Sequence, residues 1–523
     1  MLLSKVFLTF INQNQKYSMK YFITSLVFLI FNYSKASEKT YLNKILKIEK
    51  NELTNYSIII KNDNKRKAQV EVSFIPKNDT LYMGYGAYQL KNRWATFVSD
   101  IKLLDSNNKR VPIEALGNAK WLIKKPHRGR LTLRYVVNLT HEEYRWRGGI
   151  DGVAFNTDWG VFSTTRALLV LNGDDRTNIE VNFKIDDSWK ITTSWTPKGN
   201  LKNSYVVKNH EELTHSMFFA GRQEEVIVKK EGFKLVFALG GDDIIAKKEY
   251  YSKMASGVLD YYEKLMKGLP KLNTSTFTVF INSWNKTDGE AIGNSINLLV
   301  KKNAKGMDKN IANFIFAHEF YHLWNGKSFS PKKANNVEWF KEGFSNYYTL
   351  KSLLSIGYLS EDEFLSLLDE LFYQGYINDK GFGKISAVQG DEKHDHWGVI
   401  YAGGMFAGIA QDIEIRLNSN NTKNLDDLMR GLFKNYSDKA YTIQDLKNML
   451  STLNGKDQTK FFEDYIYGTK RLPIENYFSR IGFSSKIKDN KLQIKRKKNV
   501  SVLERKMMNG IYGIEVSKKK KMR

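Results

Sequence analysis

A chain of 523 residues is too long for one compact core and predicts two or three domains. A hydrophobic fraction of 42% supplies ample buried cores and excludes a disordered chain, while the absence of cysteine excludes disulfides, thiolate metal ligands and cysteine nucleophiles. The net charge of +25 comes mostly from lysines spread along the chain, with clusters at Lys491–Lys498 and Lys518–Lys521. No aromatic-interleaved basic motif accompanies them, so they read as solvated surface with weak attraction to anionic cell-surface material, and no nucleic-acid partner is expected.

At the N-terminus, Met19-Lys20 opens a positively charged start and Tyr21–Asn32 follows as an apolar run too short to span a membrane comfortably. Ser34-Lys35-Ala36 then offers small residues for cleavage. Residues 1–36 are expected to be a secretory signal peptide with its true start at Met19, which predicts a secreted or periplasmic protein. A retained segment would instead anchor the chain to a membrane.

From 40 to 240 the pattern is β. Tyr56–Lys61, Gln69–Ile75, Leu131–Leu139, Ile179–Ile185 and Lys234–Leu239 are short, β-branched and often alternating, and Asn/Asp/Gly turns separate them. This predicts a β-sandwich N-terminal domain. Helical periods begin after Gly241: Ala246–Leu269, then Ile311–Trp324, then Glu338–Leu354, with a strand at Thr276–Asn282 between the first two. Ser360-x-x-Glu363 and Thr442-x-x-Asp445 have the form of capping boxes before amphipathic helices. Residues 241–355 are expected to form a second, α/β domain, 356–475 a helical lobe that completes it, and 476–523 a short basic tail.

The helix at Ile311–Trp324 carries His318-Glu319-Phe320-Tyr321-His322. Residues four apart share a helix face, so His318 and His322 can aim at one ion, and Glu319 can reach a water held there. Glu342, in Trp339-Phe340-Lys341-Glu342-Gly343, supplies a third ligand. Two histidines and a carboxylate with an open fourth position form the ligand set of one catalytic zinc. Glu319 is then the general base, and Tyr401 is a candidate donor to the oxyanion that forms when a carbonyl is attacked. Asn346 is expected to brace a ligand histidine, and Asn325 with Gly326 to cap the histidine helix. His394 and His396 lie just upstream of Tyr401. The first reads as a loop residue and the second as a candidate for lining a substrate cleft.

The runs HEFYHLWN, WFKEGFSNYY and IYAGGMFAGIAQDIEIRL, together with Tyr85-Gly86-Ala87-Tyr88, resemble the glycyl aminopeptidase family, PDZ-bearing gluzincins related to the alanyl aminopeptidases. The resemblance spans roughly residues 50 to 485. It implies zinc on His318, His322 and Glu342, catalysis by Glu319, and transition-state stabilisation by Tyr401. Three departures stand out. The family's glycine-rich GLEHxNS segment reads Gly289-Glu290-Ala291-Ile292-Gly293-Asn294-Ser295, so Asn294 aligns as a candidate substrate-binding residue. Ala291 then stands where a glutamate is expected, and Glu290 faces the other way on a strand. Ala402-Gly403 follows Tyr401 where relatives carry a bulky or basic residue before glycine. After Gly482 only about forty residues remain, half of what a PDZ fold needs, so a truncated PDZ-like remnant is the alternative to a plain tail.

The expected protein is therefore a multi-domain α+β zinc metallopeptidase whose residues 241–355 form a thermolysin-like gluzincin catalytic domain, an aminopeptidase releasing small N-terminal residues such as Gly or Ala from peptide or protein substrates. Ala291 motivates the alternative of a zinc endopeptidase of altered end preference, and a non-catalytic binding protein on a peptidase scaffold is a further one.

Overall fold

Alternation builds the N-terminal half. In Thr54–Ile60 every second residue is buried, with Tyr56, Ile58 and Ile60 pointing inward, and Lys67–Phe74 and Leu131–Asn138 repeat the pattern. The computed structural model describes residues 52–514 apart from 126, 147, 148, 151 and 273. The expected signal peptide and the Lys518–Lys521 cluster lie outside the described residues. Among those described, no helix is long and apolar enough to cross a membrane.

Thr54–Ile60 sits inside an eight-stranded sheet, antiparallel to Lys67–Phe74 on one side and parallel to Ile179–Lys184 on the other. Two four-stranded sheets, one containing Gly160–Thr164 and Met217–Gly221, share its core. Tyr56 and Tyr135 stitch the layers through their hydroxyls. Tyr56 donates to Val170 O, and Tyr135 donates to Leu168 O and accepts from Val170 N. The β-rich N-terminal half expected from the sequence is present.

Its end is not where the pattern suggests. Phe233–Gly240, assigned by sequence to the β-rich region ending at 240, pairs with Glu224–Lys230 and with Thr276–Trp284, and so belongs to the five-stranded sheet of the catalytic half. Alternation marks a strand but not its partner, which is why the boundary falls late in the sequence reading. In this sheet Phe233–Gly240, Thr276–Trp284 and Ser295–Lys301 run parallel, and Asp288–Ile292 forms an antiparallel edge.

Helices Lys248–Met266, Gly306–Tyr321 and Glu338–Ser355 follow, close to their predicted spans. Ser360 and Thr442 both make the predicted capping boxes, with Glu363 and Asp445. The described part of the expected tail is folded: Phe483–Lys488 and Lys491–Arg496 make a hairpin, and Val502–Ile511 a helix. Phe483, Leu492, Met508 and Ile511 join the same core as the histidine helix. A side chain at Gly510 would fall 2.1 Å from the guanidinium of buried Arg416, so this last helix lies directly over that charge.

Candidate active site

The histidine helix Gly306–Tyr321 turns one face to the sheet. Phe316 and Phe320, four apart, stack on Phe237 at 6.2 and 6.5 Å. The opposite face brings His318 and His322 towards the helix Glu338–Ser355. The imidazole Nε2 atoms lie 3.0 Å apart, and each is 3.2 Å from Oε2 of Glu342. All three side chains are buried and form a group able to hold a metal ion.

Whether a metal fits is decided by the protons. His322 Nδ1 donates to Asn325 O at 2.9 Å, which leaves its Nε2 bare and aimed at the other two ligand atoms. Two ring nitrogens and a carboxylate oxygen this close repel each other unless a cation lies among them, so the donor set fits a divalent metal. In the bare protein the same arrangement favours a proton. Burial pushes the His322 imidazole down, but the carboxylates of Glu342 and Glu319 outweigh it and raise it above its ordinary value.

Glu342 divides its carboxylate between two duties. Oε2 faces the histidines. Oε1 lies 3.0 Å from Lys341 Nζ and 3.4 Å from Lys393 Nζ, and both lysines also touch Glu338. Burial alone would raise its pKa, yet Lys341 and the two histidines hold Glu342 well below the usual carboxylate range. It is a charged ligand at any working pH.

Glycines set the spacing of the elements behind it. A Cβ on Gly343 would lie 2.3 Å from the backbone of Gly404, and one on Gly404 would lie 2.1 Å from Trp339 O. The helices Glu338–Ser355 and Gly404–Asn418 therefore touch backbone to backbone, one residue from Glu342 and three from Tyr401. This explains Gly404, where the second helix has no room for a side chain.

Tyr401 lies on a π-helical turn, Gly398–Gly403, with Trp397 stacked on its ring at 6.0 Å. Burial first, then the carboxylates of Glu342, Glu338, Glu319 and Glu290, push its phenol well above the ordinary range. It remains an O–H donor. Asn346, expected to brace a histidine, instead sends its amide to Tyr401 O at 3.4 Å. The bracing contact comes from the Asn325 carbonyl, and the Asn325 amide ties the two ligand helices together by donating to Lys341 O at 3.0 Å.

His396 is oriented rather than loose: its Nδ1 meets Asp379 Oδ1 at 2.7 Å, while Asp379 Oδ2 accepts from Gly398 N. Asn294 lies in the hairpin turn before Ser295, and its carbonyl accepts from Thr278 N in the sheet. On the edge strand Asp288–Ile292, Gly289 faces Ile315 of the histidine helix and Ala291 packs on the core. Glu290 faces the opposite way and meets Arg166 of the N-terminal half, whose terminal nitrogen lies 3.2 Å from both carboxylate oxygens. Sequence reasoning missed Arg166, Lys341 and Lys393. Lys393 lay in the loop singled out for its histidines; Arg166, 124 residues from its partner, carries no local signal.

A helix with two histidines and a glutamate, a third ligand from the next helix and a sheet-and-helix catalytic half define a metallopeptidase with the ligands of a zinc peptidase. Residues 55–222 match the Peptidase M61 N-terminal domain and residues 312–401 match M61 glycyl aminopeptidase. The chain belongs to the M61 glycyl aminopeptidase family. Its fold is similar to that of a crystal structure described as an aminopeptidase N family protein from Idiomarina loihiensis, with a TM-score of 0.68 at 17% identity over 84% of this chain and 80% of that one. No curated protein matches the chain.

Proposed function

We propose that the protein is a zinc-dependent aminopeptidase that releases small N-terminal residues, Gly or Ala, from peptides. The observation that carries this is the buried convergence of His318, His322 and Glu342 with Glu319 and Tyr401 beside it. A zinc ion bound there would supply Lewis acidity to a water and to the scissile carbonyl. Glu319 accepts the proton of the attacking water and returns it to the leaving amine. Tyr401, kept protonated by burial and the surrounding carboxylates, donates its O–H to the carbonyl oxygen as that atom gains charge. Asn346 and Trp397 hold Tyr401 for this task, and Asn325 holds His322. The charged start and apolar run before Ala36 support export to the periplasm or beyond.

A second reading, endopeptidase action, is favoured by one observation: Ala291 offers no carboxylate to a substrate amine, and Glu290 is already paired with Arg166. The test sets glycyl and alanyl amides beside N-acetylated peptides, with metal analysis of the same purified protein and Glu319→Gln in parallel. Cleavage confined to free amino termini supports the aminopeptidase. Cleavage of blocked peptides alone replaces it with the endopeptidase. Glu319→Gln should keep its metal and lose roughly 10²- to 10⁴-fold in kcat; a variant as active as wild type would end the mechanism.

A further inference from the structure

Tyr85-Gly86-Ala87-Tyr88 has no part in the metal site, yet it is among the most unusual surfaces of the molecule. Tyr85 and Tyr88 are 73% and 52% exposed, both among the exposed large hydrophobic side chains of the described residues. Their rings meet edge to face at 4.8 Å. Isolated exposed tyrosines need no explanation, but a paired and supported set does.

The support is rigid. The Trp94 indole donates to Tyr85 O at 3.2 Å, and a side chain at Gly86, where φ is +131°, would fall 2.7 Å from the Trp94 ring. The loop therefore lies flat on the tryptophan. Ala87 at φ +54° and Arg93 at φ +48° are held in the left-handed region, and the Arg93 guanidinium sits 4.4 Å above the Tyr88 ring. Strained backbone of this kind persists only where the surroundings enforce it, and it concentrates at functional surfaces.

The platform also borders the contact between the N-terminal half and the catalytic sheet. A Cβ on Gly84, next to Tyr85, would lie 2.8 Å from Arg166 Cβ. Arg166 reaches Glu290 on the edge strand of the catalytic sheet, and Gly289 of that strand lies against Ile315 of the histidine helix. A run of contacts thus leads from the histidine helix, past the Arg166–Glu290 pair, to the segment that carries the two exposed rings.

We propose that Tyr85 and Tyr88 form a remote substrate subsite that takes an apolar or aromatic side chain from a peptide extending beyond the scissile bond. Two-torsion aromatic side chains give large contact at little entropic cost, and their prior immobilisation by Trp94 and Arg93 lowers that cost further. An extended chain advances about 3.3 Å per residue, so only substrates several residues long reach the rings. The subsite rests on the peptidase reading and adds to it a preference for chain length and for apolar residues away from the cut.

The experiment compares the full-length Tyr85→Ser/Tyr88→Ser double variant with wild type on alanyl amide and on a hexapeptide carrying internal Leu and Phe. Both side chains are exposed, so folding is not at stake. kcat/KM on the hexapeptide should fall about tenfold or more, mostly through KM, with the amide unchanged. Tyr85→Phe/Tyr88→Phe should stay within about twofold of wild type, because the ring faces make the contact. No loss on the hexapeptide, equal loss on both substrates, or a phenylalanine variant as poor as the serine one would overturn the subsite and leave the peptidase reading standing. A wild-type protein inert on both substrates would overturn the two together.

Discussion

Gly343→Ala tests whether the backbone contact behind the site sets its geometry. The added methyl would lie 2.3 Å from Gly404 C and 2.4 Å from Met405 N, and neither atom belongs to a side chain that can swing away. Restoring ordinary contact at 3.4 Å requires the helices to part by about 1 Å. Alanine in a helix interior is favoured over glycine by about 1 kcal/mol. Overpacking a close contact costs about 1–3 kcal/mol, and more where backbone must move, so the net change is destabilising. The kinetic effect should be larger than the thermodynamic one. Glu342 precedes the substituted residue, and Tyr401 lies three residues before its contact partner, so a shift of about 1 Å separates a metal ligand from the oxyanion donor. Misplacement on that scale costs about 10²-fold in rate. Steady-state kinetics on an aminoacyl amide, taken well below the melting temperature and paired with a thermal melt, would read both. A Gly343→Ala protein with unchanged melting temperature and unchanged kcat/KM would refute the close approach.

Three further outcomes are expected. Tyr401→Phe should lower kcat by about 10²- to 10³-fold while leaving metal content intact, as measured by kinetics and metal analysis. Chelation should lower the melting temperature of the wild type, since a ligand at 1,000 times its Kd stabilises by about 4 kcal/mol. The effect has a pH sign. With the metal removed, the folded pKa of His322 lies above 6.5, so its contribution to stability is complete below pH 6.5 and is lost as pH rises through the folded value. Metal binding needs the neutral ring and runs the other way, so affinity measured by chelator competition should weaken as pH falls through that same raised value. Lys351→Met should lower the unfolding midpoint sharply: Lys351 is 1% exposed and lies 3.2 Å from Asp426 and 3.7 Å from Asp412, and its loss leaves buried carboxylates short of a partner at about 3–5 kcal/mol.

The metal group was legible because its logic is local. His318 and His322 are one helical turn apart, and Glu342 follows on the next helix amid aromatic residues that could only be buried. Strand alternation likewise announced Thr54–Ile60 and Leu131–Asn138 before any partner was known. The same local rule separated Ala291 from Glu290 correctly, since neighbours on a strand face opposite sides. It could not say what each side meets. Asn346 was misread for the same reason: four residues from Glu342, it shares that residue's helix face, but the π-helical turn across the groove offers it the Tyr401 carbonyl.

Periodicity and residue chemistry determined, from sequence alone, which side chains can share a helix face and bind one ion. Tertiary structure decided which distant segments close around them: Phe233–Gly240 joining the catalytic sheet, the Lys393 ammonium reaching Glu342, and Arg166 crossing from the N-terminal half to Glu290. Those contacts join residues tens to more than a hundred positions apart. They depend on how folded surfaces fit together, and no local spacing encodes that fit.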